Sequence, residues 1–146
     1  MAEAFELGFA PEDTWDTLLE HRVVLLTGPA HCGKSSELTL LQQRRRAAAK
    51  VCFMLDLSTL FRCSVGESLK ADRAVFEAWL DDETEAVFLL DALDEAELCD
   101  DRALLMCIGK LASSLGAPGL LRSRFVVSSR PGSWSSASVL DNIRYA

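Results

Sequence analysis

The stretch that most limits what this chain can fold into is RVVLLTGPAHCGKSSELTLLQQRRRAAA, residues 22–49. It opens on a short β-branched and leucine run, turns at Gly28, and from Gly33 carries strong helix formers with Leu38, Leu40 and Leu41 on one stripe. Arg44, Arg45 and Arg46 fall in the last turns, where cations suit the helix dipole and a solvated helix end is expected. A buried strand that turns straight into a helix is the opening unit of an α/β fold.

The rest of the chain repeats that unit. KVCFMLDL (50–57) reads as a second strand, and residues 68–82 read as an amphipathic helix with Leu69, Phe76, Trp79 and Leu80 on one face. EAVFLLDALDEA (85–96) starts as a fully apolar strand and ends in clustered acids. The spacing then predicts a helix over 100–119. Asp100 or Asp101 caps it, Leu104, Leu105, Ile108, Leu111, Ala112 and Leu115 form its stripe, and Gly116 and Pro118 stop it. SRFVVSSRPGSW (123–134) gives a last short strand. Continuous apolar strands need helices on both faces, so the expected fold is a three-layer α/β/α core with a mainly parallel sheet. Such sheets bind ligands at the carboxyl ends of their strands, and the polar clusters 28–35, 56–59, 91–95 and 128–131 all fall there.

Composition narrows the classes. The 146 residues suit one domain, and a formal charge of −7 argues against a general nucleic-acid binder. The five cysteines form no C-x-x-C pair, which is neither a zinc pattern nor a disulfide framework; Cys52 and Cys107 lie in apolar runs and read as buried thiols. The acidic start lacks the features of a signal peptide and no apolar run has the length of a membrane span, so a cytoplasmic protein is expected.

Gly28-Pro29-Ala30-His31-Cys32-Gly33-Lys34-Ser35 fits G-x-x-x-x-G-K-[ST] at every fixed position. A chance match in a chain of this length is on the order of half a percent, and the required strand before and helix after are both expected. Glycines let the backbone bring its N–H groups against phosphate oxygens, and the new helix aims its unpaired N–H groups at the same anion. Lys34 then reaches the β- and γ-phosphates, the Ser35 hydroxyl ligates Mg2+, and Ser36 adds to the first turn. His31 and Cys32 fill variable positions; Cys32, near a helix start and a lysine, is placed for a depressed pKa and for modification that blocks the loop. Asp91 ends an apolar strand where a metal-holding carboxylate belongs, and Ala92 follows it where many ATPases have glutamate. Asp94 and Glu95 are the next acids, either carrying a carboxylate toward an attacking water or only capping the next segment.

LLTGPAHCGKSSEL, VFLLDALDEA and FVVSSRPGSW, in this order, resemble the NACHT-type branch of the STAND class of P-loop ATPases, particularly its bacterial members. The resemblance spans roughly residues 14–134 and is specific in the three motifs. It implies an ASCE-type P-loop NTPase core over 21–134, an N-terminal segment 1–20 leading into it, and a C-terminal tail 135–146. It also implies Lys34 and Ser35 as the phosphate and magnesium pair, Asp91 as the metal aspartate and Asp94 as the acid that positions water. Ser128, Ser129 and Arg130 become a sensor segment, with Arg130 placed to feel the γ-phosphate, and Trp15 either flanks the base or packs. The implied function is Mg2+-dependent ATP binding and slow hydrolysis as a conformational switch of a signalling or defence protein, with homo-oligomers in a full-length context. ATP is expected over GTP because no [NT]-K-x-D base-recognition motif is present. Family members continue into a lid and a winged-helix module, whereas NIRYA ends this chain about a dozen residues after Trp134, as a fragment or a stripped-down relative would. Two alternatives stay open: a nucleotide-binding assembly module without turnover, and a P-loop small-molecule kinase, against which the plain helix over 97–119 counts.

Overall fold

The computed structural model describes residues 2–6, 15–27, 34–91 and 101–129. Five strands, β1 (Ala2–Glu6), β2 (Val23–Thr27), β3 (Val51–Asp56), β4 (Ala86–Asp91) and β5 (Ser123–Ser129), form one sheet in the order β1-β2-β5-β4-β3. Every neighbouring pair is parallel. The architecture is α/β and fits a three-layer plan. Four of the strands fall where the apolar runs predict them. The fifth, β1, carries no such run: it is short, four of its five residues are Ala or Glu, and pairing with β2 at the sheet edge is what makes it a strand.

The pleat sends alternate residues to two separate cores. One face carries Phe53, Leu55, Ala86, Phe88, Leu90, Phe125 and Val127 against α3 (Leu57–Arg62), α4 (Val65–Leu69), α5 (Arg73–Leu80) and α6 (Asp101–Leu121). The other carries Val24, Leu26, Cys52, Val87, Leu89 and Val126 against Leu18 and Leu19 of α1 (Trp15–Leu18) and the turn after it, and against Leu38 and Leu41 of α2 (Lys34–Ala47). Leu40 does not join the α2 stripe and is 44% exposed, because a helix presents positions 38 and 41 to the sheet and turns 40 away.

Three local departures have local causes. The six-residue α3, unexpected from periodicity, starts because the Asp56 carboxylate accepts from the Ser58 N–H at 2.9 Å and from Ser58 Oγ at 2.7 Å. Its far end is held by Lys110 of α6, whose Nζ donates to the carbonyls of Leu60, Phe61 and Cys63 at 2.9, 3.0 and 3.1 Å. The single helix expected over 68–82 is α4, a 3-10 turn at Lys70–Asp72 and α5, broken where Lys70 takes φ 54°. Gly116, with φ 68° and ψ 173°, interrupts α6 as a glycine stop should, but helical turns resume with Pro118 and run to Leu121. The expected stop is therefore a kink.

Candidate functional site

Residues paired in a parallel ladder share a face of the sheet. The registers Leu26–Ser128, Ser128–Asp91 and Asp91–Asp56 therefore draw one row across four strands at their carboxyl ends. Leu26 packs in the core beneath α2, so the row lies on the α2 face. Thr39 Oγ1 lies 3.9 Å from Met54 Sδ, and Arg46 reaches the Cys52 carbonyl, so α2 runs from the carboxyl end of β3 towards its amino end. The start of α2 at Lys34 and the polar row thus belong to the same end and the same face.

Asp91 is 6% exposed and Ser128 is fully buried; Ser128 Oγ donates to Asp91 Oδ1 at 2.8 Å. A carboxylate withdrawn from water needs hydrogen bonds or a cation to offset its lost hydration, and the Ser128 hydroxyl supplies one such bond while fixing the orientation of the carboxyl group. Beside it, Asp56 is occupied in capping α3. A 14-residue helix that opens at the same end and face as a buried carboxylate presents two complementary features: N–H groups that favour an anion and oxygens that favour a hard cation. Among the described residues no group of three or more His, Cys, Asp or Glu is placed to hold a metal by itself.

Trp15 packs half-buried against the α2-side core, and its Nε1 donates to Glu37 Oε1, in the first turn of α2, at 2.8 Å. This gives the packing role a physical basis. Lys34 and Ser35 open α2, and Ser36 follows with an exposed side chain. The expected site residues Gly28, Pro29, Ala30, His31, Cys32, Gly33, Asp94, Glu95 and Arg130 lie outside the described residues. The strand-end polar residues 56–59 and Ser128 are visible in the sequence, whereas the Asp56–Ser58 cap and the Ser128–Asp91 bond are not. The second depends on β5 lying beside β4, which no local pattern encodes.

Among the described residues no helix is long and apolar enough to cross a membrane. Comparison of the chain with protein-family models, with curated proteins and with solved structures finds no match.

Proposed function

We propose that this chain carries the nucleotide-binding core of a NACHT-type P-loop ATPase, which binds ATP with Mg2+ and hydrolyses it slowly as a conformational switch in a cytoplasmic signalling or defence protein. The observation that carries the reading is that α2, which starts at Lys34 within G-x-x-x-x-G-K-S, opens at the same end and on the same face of the sheet as the buried Asp91–Ser128 pair. The strand order supports it. With β5 between β2 and β4, Asp91 stands two strand spacings, about 10 Å, from the strand that leads into the glycine loop. That separation suits a polyphosphate held at the helix start with its end directed at the acid.

In this reading the first turn of α2 and the glycine loop bind the phosphates, and Lys34 contributes charge to the β- and γ-oxygens. Ser35 and Asp91 are the residues that would hold Mg2+. The donor chemistry fits, since magnesium takes one or two carboxylates and completes its shell with water and phosphate oxygens, so no dedicated acidic cage is required. When bound, the ion neutralises charge on the β- and γ-phosphates. Ser128 keeps the Asp91 carboxyl oriented, Asp94 with Glu95 orients the attacking water, and Arg130 offsets charge that builds on the γ-phosphate. Homo-oligomers in a longer protein belong to the same proposal.

Equilibrium titrations with ATP and GTP, with and without Mg2+, test it. ATP should bind more tightly than GTP, and Lys34→Ala should weaken ATP by about tenfold or more. Slow phosphate release should accompany binding; nucleotide recovered intact after long incubation with Mg2+ would point to an assembly module instead. A chain that takes up no ATP, or binds it equally well as Lys34→Ala, contradicts the proposal.

A further inference from the structure

We propose that the outer edge of β3 is a self-association surface that Arg46 holds shut, and that the partner it fits is a second copy of this chain. The inference is independent of the nucleotide reading. Along a strand, main-chain N–H and C=O groups point alternately to the two sides. Phe125 N–H donates to the Arg22 carbonyl and Ala86 N–H to the Arg122 carbonyl, which with the registers sets the phase across the sheet. Val51, Phe53 and Leu55 bond to β4, so the main-chain groups of Cys52, Met54 and Asp56 point away from it, and among the described residues no strand lies beyond β3. Val51, Met54 and Asp56 all keep partial exposure, so the edge is within reach of solvent.

An exposed row of this kind is a template for another strand, and folded proteins block it with charge. Arg46 performs that task here. Its Nε and Nη2 donate to the outward Cys52 carbonyl at 3.4 and 3.2 Å, and Nη2 also donates to Asp72 Oδ2 at 2.8 Å. The basic run at the end of α2 is thus more than a solvated helix end. The lock is light, since the Arg46 and Asp72 side chains are 44% and 29% exposed and such pairs contribute little.

Removing it leaves an edge that matches itself. In a two-fold antiparallel pairing, Met54 lies opposite Met54 of the second copy and Cys52 opposite the second copy's Asp56, whose N–H takes the place of the guanidinium at the Cys52 carbonyl. The same pairing sets the amino end of β3, where Lys50 precedes the strand and Arg45 lies close to Cys52, against the second copy's Asp56 at the carboxyl end. Length, phase and charge all agree with a second copy.

Sedimentation equilibrium on the 146-residue chain tests this, with hydrogen exchange at the Met54 amide as a second readout. The wild-type chain should be monomeric, and Arg46→Ala should tighten dimerisation by at least about tenfold and slow exchange at Met54. Met54→Pro in the Arg46→Ala background removes an outward N–H, which edge strands tolerate, together with the Met54 side chain packed on the α2-side core, and should return the monomer. Met54→Lys serves the same purpose through charge if the proline variant does not fold. The proposal is overturned if Arg46→Ala stays monomeric, if the folded double variants still dimerise, or if the wild-type chain dimerises as tightly as Arg46→Ala.

Discussion

The two faces of the sheet are built from different side chains. The face under α3 to α6 is an aromatic cluster: Phe53, Phe76, Trp79, Phe88 and Phe125 stand with ring centroids 5.4 to 6.3 Å apart. Arg122 covers its rim, its guanidinium carbon 4.4 Å from the Trp79 ring while Nη2 donates to the Trp79 and Leu80 carbonyls at the end of α5. The face under α2 holds aliphatic side chains and a thiol, and ends at the carboxyl edge in the row Ser128, Asp91 and Asp56. Burial of large rings anchors one side, and the other carries buried polar groups at its carboxyl edge.

Several substitutions probe this division. Phe88→Ala, at the centre of the ring cluster, should lose about 3–5 kcal/mol in urea unfolding. On the α2 face, Leu38→Ala should lose about 2–5 kcal/mol, and because Leu38 seats α2 on the sheet it should also weaken nucleotide binding. Equal losses of binding from both variants would erase the distinction.

Among the described residues each face also holds one buried thiol, Cys107 on the side of α3 to α6 and Cys52 beneath α2, and burial pushes both from 9.0 to about 11. The unfolded chain releases these protons near pH 9 and the folded chain only near pH 11. Stability is therefore full below pH 9 and declines as the pH rises to 11, by up to about 3 kcal/mol per thiol. Cys52→Ala and Cys107→Ala should each flatten that alkaline slope, measured by unfolding at fixed pH values. Ser128→Ala leaves the Asp91 carboxylate short of one hydrogen bond and should cost about 1–3 kcal/mol. The smallest effect belongs to Ala49, which ends α2 at φ 59° in a glycine-type stop: the Lys50 N–H bonds the Arg45 carbonyl and the Ala49 N–H the Arg46 carbonyl. Ala49→Gly should raise stability by about 0.5–1 kcal/mol.

The division between faces was partly legible in the residues. The apolar runs located β2 to β5, and the 3.6-residue spacing located α2 and most of α6, since both patterns report what a single element must bury. Ala2–Glu6 had no such pattern because an edge strand depends on its neighbour for order. The α3 turn hides inside DLSTLF, where a strand ends and a helix begins on the same aspartate. The site divides in the same way. Lys34, Ser35 and Asp91 are marked by a local motif and a strand end, whereas the Ser128–Asp91 bond and the Trp15–Glu37 bond join residues 37 and 22 positions apart. Strand order and register create those contacts, and both are properties of the assembled sheet.

The central claim is that the polar row on the α2 face is where nucleotide and metal meet. Its most direct test is the ratio of ATP affinities with and without Mg2+, measured calorimetrically for the wild-type chain and for Asp91→Asn. The account predicts that Mg2+ strengthens ATP binding to the wild-type chain, and that Asp91→Asn keeps the metal-free affinity while losing that enhancement. An enhancement of the same size in Asp91→Asn, or no ATP binding by the wild-type chain, would contradict it.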